Sequence, residues 1–125
     1  MLADLHAHTW YSDGSLAPEA LLARAAGNQL THLAITDHDT TAALDSIAPH
    51  WIAPGLSLIP GVEISSLWER QEIHVVGIGI DRHDNTLQTL LLGQQSLRRE
   101  RAAEMDMRLQ KAGITGLQAY LADLP

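Results

Sequence analysis

Met1-Leu2-Ala3-Asp4-Leu5-His6-Ala7-His8-Thr9-Trp10-Tyr11-Ser12-Asp13-Gly14 opens the chain, and its reading governs the rest. Residues 1–5 form a short, mostly apolar run that predicts a first strand. Side chains alternate along a strand, so residues two apart point to one side. His6 and His8 therefore converge at the strand end, and Asp13 returns toward them from the loop 9–14. Two imidazoles and a carboxylate gathered there make a metal-binding pattern. The plainer alternatives are polar loop residues satisfied by hydrogen bonds, and ordinary turn chemistry in Ser12-Asp13-Gly14.

Working outward, short strand-like runs alternate with amphipathic helices. Pro18-Glu19 opens a helix over residues 18–26, with proline early and an acid in the first turn, and Gly27-Asn28 ends it. Residues 30–36 predict a second strand, closing on Thr36-Asp37-His38-Asp39. A second, shorter helix is expected over 40–50, with Asp39 or Thr40 as N-cap. Residues 56–60 begin a third strand that continues past Gly61 through Ser65, and 72–80 form a fourth. Asp84-Asn85 predicts the cap of a long helix running to about Ala112 with Gly113 as its stop, and 114–125 hint at another short helix.

Alternating strand and helix predicts a parallel α/β architecture whose site gathers at the carboxyl ends of the strands. Four strands are few for a closed barrel, which needs about seven or eight. The chain therefore reads as the first part of something larger.

Three later strand units repeat the opening pattern. His38, after the apolar Leu33-Ala34-Ile35, is a candidate ligand. Asp37 could orient an imidazole as a carboxylate behind the metal, while Asp39 could be no more than a helix cap. Glu63, flanked by Val62 and Ile64, predicts a partly buried carboxylate that needs a partner or a metal, and such a residue can bridge two metals. His74 precedes Val75-Val76-Gly77-Ile78, where a satisfied core histidine is the rival. His32, His50 and His83 read as background, and Asp81-Arg82-His83 as a solvated turn.

Composition narrows the chemistry. No cysteine is present among the 125 residues, which excludes disulfides, thiolate metal sites and cysteine nucleophiles from this chain. Nitrogen and oxygen ligands suit Mn, Fe, Zn or Mg. Phenylalanine is absent, so the core must be aliphatic. A net charge of −7 argues against a generic surface for duplex nucleic acid, but not against an anionic substrate. Two or three divalent ions would add roughly +4 to +6 locally. With no signal-peptide pattern and no apolar stretch near the ~20 residues that span a bilayer, a cytoplasmic chain with no membrane partner is expected.

Four segments in order carry a family resemblance: Asp4-Leu5-His6-Ala7-His8-Thr9 with Tyr11-Ser12-Asp13-Gly14, Ile35-Thr36-Asp37-His38-Asp39, Gly61-Val62-Glu63-Ile64-Ser65, and His74-Val75-Val76-Gly77. Together the chain resembles the polymerase and histidinol phosphatase (PHP) superfamily. Residues 97–102 and 109–114 are similar to its branch of 3′,5′-nucleoside bisphosphate phosphatases, some of which act as 5′-to-3′ exoribonucleases on short RNA.

The resemblance implies the first part of a distorted (β/α)7 barrel over residues 1–84, and the start of an inserted helical subdomain over 85–125. It implies a site of two or three divalent metals, manganese foremost, that activates water for phosphate ester hydrolysis. His6 and His8 would hold one metal, with Glu63 as bridge. Glu63 and His74 would serve a second, and Asp13 and His38 a third. Three further ligands expected late in such a chain, a histidine and an Asp-x-His, fall beyond these residues, and Asp81-x-His83 comes too early to stand in, so reduced metal binding and little activity are expected of these residues alone.

The expected substrate is a small nucleotide or short RNA. Arg98 and Arg101 share a helical face and could clamp a phosphate, with Arg99 nearby but pointing elsewhere. A solvated face paired to Glu100 and Glu104 is the alternative. Among other classes, amidohydrolases also place His-x-His after a first strand, but the one lysine, Lys111, falls on the wrong element. A polymerase-associated domain and a metal-binding fragment without catalysis complete the alternatives.

Overall fold

In a computed structural model, residues 1–124 are described, and Pro125, the end of the expected tail helix, lies outside them. The order is β1 (Ala3–Ala7), α1 (Pro18–Gly27), β2 (His32–Ile35), α2 (Ala42–Ser46), a 3₁₀ turn (Pro49–Trp51), β3 (Ser57–Trp68), β4 (Gln71–Ile78), α3 (Asn85–Lys111) and α4 (Leu117–Ala122). The strands make one sheet in the order β1-β2-β3-β4. The α/β class and the parallel pairing of β1 with β2 and of β2 with β3 follow the sequence expectation.

The fourth strand does not. β4 runs antiparallel to β3, in register from Gly61 opposite Ile78 to Trp68 opposite Gln71. Only Glu69 and Arg70 separate the two strands, with φ of 47° and 68°. Two left-handed residues make a tight hairpin, whereas a parallel crossover needs a dozen residues or more. The hairpin has a functional consequence, because it carries the start of β4 to the same end of the sheet as the exit of β2.

The core lies between the helices and one sheet face. Leu22 and Ala25 of α1 pack with Leu33 and Ile35 of β2, and Ala43, Leu44 and Leu56 complete it. It is aliphatic, as the absence of phenylalanine requires. The second helix is much shorter than the expected 40–50. Ile47 and Ala48 are extended, with ψ of 120° and 137°, because a residue before proline is disfavoured in the helical region and Pro49 follows.

The long helix keeps its expected ends. The Asp84 side chain accepts a hydrogen bond from Leu87 N at 2.8 Å, and Gly113 takes the left-handed conformation with φ 84°. Little of α3 is apolar against the sheet, since Leu91 is its buried hydrophobic residue. Polar side chains tether it instead: Gln88 Nε2 donates to Thr41 Oγ1 at 3.1 Å, and Gln95 Nε2 to the Asp39 carbonyl at 2.9 Å. No described helix is long and apolar enough to cross a membrane.

Gly61 marks where three strands crowd. A Cβ there would lie 2.7 Å from Thr36 Cγ2 and 3.0 Å from the carbonyls of Gly77 and Ile35. Gly61→Ala is expected to cost about 1–3 kcal/mol in urea denaturation, by overpacking rather than by any lost contact. An unchanged midpoint would show that the sheet has slack at this point.

Candidate metal centre

Glu63 is the focus of the site. It is buried on β3. Its backbone bridges the segment after β2, with Glu63 N donating to Asp37 O at 3.0 Å and Asp39 N to Glu63 O at 2.9 Å. These bonds set His38 beside Glu63. From β1, His6 Nε2 and His8 Nε2 each lie 2.8 Å from Glu63 Oε2. From β4, His74 Nδ1 lies 2.9 Å from Glu63 Oε1. Val76 is the register partner of Glu63 and His74 shares its face two residues away, so the antiparallel hairpin is what delivers this ring.

Asp13 closes the other side. Its Oδ1 lies 2.7 Å from His8 Nδ1 and its Oδ2 3.2 Å from His38 Nε2. The six sequence-predicted ligands thus form three overlapping groups: His6, His8 and Glu63; His8, Asp13 and His38; His38, Glu63 and His74. Within each group the ligand atoms lie within 4.8 Å of one another. His38 Nδ1 is buried with no hydrogen-bond partner among the described residues, so hydrogen bonding alone does not account for this ring. An all nitrogen and oxygen donor set around a buried carboxylate fits divalent metals.

The electrostatics agree with the geometry. Burial pushes the carboxyls of Asp13 and Glu63 up, but the imidazoles override it and hold both below the usual range: His8 and His38 for Asp13, His6, His74 and His38 for Glu63. His74 is raised by hydrogen bonds to Glu72 and Glu63. Both acids therefore stay ionised, ready for a cation.

Two acids of the Asp37-His38-Asp39 segment have partners that the sequence did not disclose. Asp37 reaches no imidazole. Its Oδ1 accepts from Thr9 N and Ser12 Oγ, both at 2.7 Å, and its Oδ2 from Thr9 Oγ1 at 2.6 Å. It pins the loop that carries Asp13. Asp39 caps no helix, since the residue before α2 is Thr41. Its Oδ1 accepts from Ser65 N at 2.8 Å and its Oδ2 from Arg98 Nε at 2.7 Å. Glu72, 3.1 Å from His74 Nε2, was also missed, although Glu-x-His on a strand places both side chains on one face.

A cavity of about 410 Å³ opens beside the cluster, lined by Tyr11, Ser12, Asp13, His38, Glu72, His74 and Arg98. Of Arg98, Arg99 and Arg101, Arg98 lies here. Arg101 lines a neighbouring hollow with Ser65, Ser66 and Glu72. Arg99 lies in the hollow between α3 and α4 with Gln118 and Leu121, turned away by one helical step.

A family profile for the PHP domain matches residues 4–117. The chain belongs to the PHP domain family. Among curated PHP relatives, it is 48% identical over 118 residues to the 5′-3′ exoribonuclease Rnm of Escherichia coli, covering 93% of this chain and 40% of that protein. It is 41% identical over 113 residues to the 3′,5′-nucleoside bisphosphate phosphatase of Chromobacterium violaceum, covering 90% and 40%. Two solved structures share the fold. One, described as an amidohydrolase of Chromobacterium violaceum, has a TM-score of 0.80 at 39% identity, covering 93% of this chain and 41% of that one. The other, described as a metal-dependent phosphoesterase of Bifidobacterium adolescentis, has a TM-score of 0.79 at 31% identity, covering 87% and 38%. The chain spans about 40% of the length of these relatives.

Two outcomes test the supports of this PHP centre. Asp37→Ala strands three hydrogen-bonding groups of Thr9 and Ser12, and is expected to cost about 3 kcal/mol or more in chemical denaturation. A loss below about 1 kcal/mol would mean that the loop is held by other contacts. Asp39, though raised by burial, is held below its ordinary 3.8 by Ser65 and Arg98. Its stabilisation is complete above the unfolded pKa and is lost as pH falls through the folded one. The stability gap between wild type and Asp39→Asn should therefore narrow as pH falls below the ordinary 3.8, and a constant gap through acid pH would contradict this.

Proposed function

We propose that this chain supplies a metal-dependent phosphoesterase site that releases phosphate from small nucleotides such as 3′,5′-nucleoside bisphosphates, and acts on short RNA. One observation carries the reading: a buried carboxylate, Glu63, is faced on both oxygens by imidazoles from three strand units, His6 and His8 of β1, His38 after β2 and His74 of β4. Membership of the PHP family and the names of its relatives support it.

His6, His8 and Glu63 would hold one divalent ion, Glu63 and His74 a second, and Asp13 and His38 a third, with manganese as the proposed metal and the cytoplasm as the proposed location. Such ions, when bound, lower the pKa of water and neutralise charge on phosphoryl oxygens. The protein does the rest. Asp37 fixes the loop of Asp13, and the β3–β4 hairpin fixes Glu63 against His74. No serine or threonine of the cluster is paired to a histidine as an activated nucleophile would be: Thr9 and Ser12 both donate to Asp37. Arg98, at the cavity wall, is placed to take a second phosphate, for which a guanidinium fork suits the oxygens.

With Mn, and with the late histidine and Asp-x-His ligands that the family resemblance adds to these residues, the protein is expected to release phosphate from adenosine 3′,5′-bisphosphate. Glu63→Gln should lower kcat/KM by about 100-fold or more and weaken Mn binding measured by calorimetry. Failure to hydrolyse either this substrate or short RNA with Mn, Fe or Mg present would sink the phosphoesterase reading. The structural neighbour described as an amidohydrolase makes amide cleavage the second reading, and release of amine in place of phosphate would select it.

A further inference from the structure

Asp39 is an acid outside the ligand groups that is tethered to both β3 and α3. It is buried, and its backbone is left-handed, with φ 54°. Asp tolerates that region better than most residues but still at a cost, so the surroundings must impose it. They do so from two elements. The Asp39 amide donates to Glu63 O and its Oδ1 accepts from Ser65 N, both on β3. Its carbonyl accepts from Gln95 Nε2 and its Oδ2 from Arg98 Nε, both on α3.

The second end of the Arg98 guanidinium is held too, since Nη2 donates to Ser65 Oγ at 3.0 Å. Asp39 and Ser65 thus grip Nε and one edge of Nη2. The same side chain lines the cavity that Asp13, His38 and His74 also line. Arg98 is the cation of that wall, among acids and imidazoles. A free arginine would lose rotamer freedom on meeting an anion, and one already clamped loses less.

Resting on the phosphoesterase reading above, we propose that Asp39 is a positioning residue that, with Ser65, pre-orients Arg98 to bind a substrate phosphate held away from the metal ligands. A merely structural tie of α3 to the sheet would make no such demand on ligand affinity.

The test is binding of adenosine 3′,5′-bisphosphate to the full, metal-free chain by calorimetry, so that hydrolysis plays no part. Arg98→Met and Asp39→Asn are each expected to raise Kd about tenfold, and the double variant no further than Arg98→Met alone. Ser65→Ala, which keeps the backbone donor to Asp39, should give a smaller rise in the same direction. In turnover with Mn, Asp39→Asn should raise KM while leaving kcat within about twofold. The proposal is overturned if wild type does not bind, if Asp39→Asn binds as wild type does, or if its effect adds to that of Arg98→Met. Asparagine suits the left-handed backbone, and Ser65→Ala keeps the question open to an answer should Asp39→Asn fail to fold. Binding as expected without phosphate release would sink the phosphoesterase reading alone.

Discussion

A carboxylate buried among imidazoles sets the terms for this protein. Removing an anion such as Glu63 from water costs several kcal/mol unless compensating groups surround it. Here the compensation comes from elements distant in sequence. His6 and His8 come from β1, His38 from the exit of β2 and His74 from β4. The sheet order, the narrow approach at Gly61 and the hairpin after Trp68 are the means by which those strands meet at one carboxylate.

The same constraint explains why the site reads as a metal centre and not only a hydrogen-bonded cluster. Hydrogen bonds between histidines and acids satisfy much of it, yet Glu63, His8 and His38 are each shared between two groups of ligand atoms. Shared ligands and an acid held ionised describe a place where positive charge is concentrated and water is polarised. Bound divalent ions would reverse the sign of the local field, and the overall charge of −7 would then be no obstacle to an anionic substrate.

The long helix adds specificity by polar rather than apolar means. α3 buries one leucine, Leu91, and is fastened by Gln88, Gln95 and Arg98 to Thr41 and Asp39. An apolar face would have glued the helix without regard to small shifts. Directional bonds to a buried acid tie it to the ligand segment, and of the three arginines Arg98 reaches the cavity as well as the hollows it shares with Arg99 and Arg101.

Much of this was legible in residue order. The alternation of strands with helices, the Asp84 cap and the Gly113 stop depend on interactions within a few residues, which local sequence determines by itself. The six ligand candidates could be named from strand ends but are brought together only by the fold. What joins distant residues did not show. The antiparallel turn of β4 follows from a two-residue link whose left-handed backbone only becomes visible in the structure, and it alone turns His74 from an early strand residue into a neighbour of Glu63. In sequence Asp37 reads as a support for an imidazole and Asp39 as a helix cap. Tertiary structure sent one to the loop of Asp13 and the other to Arg98, because a buried carboxylate takes whichever donors the fold brings within reach, and here those donors lie 25 to 59 residues away.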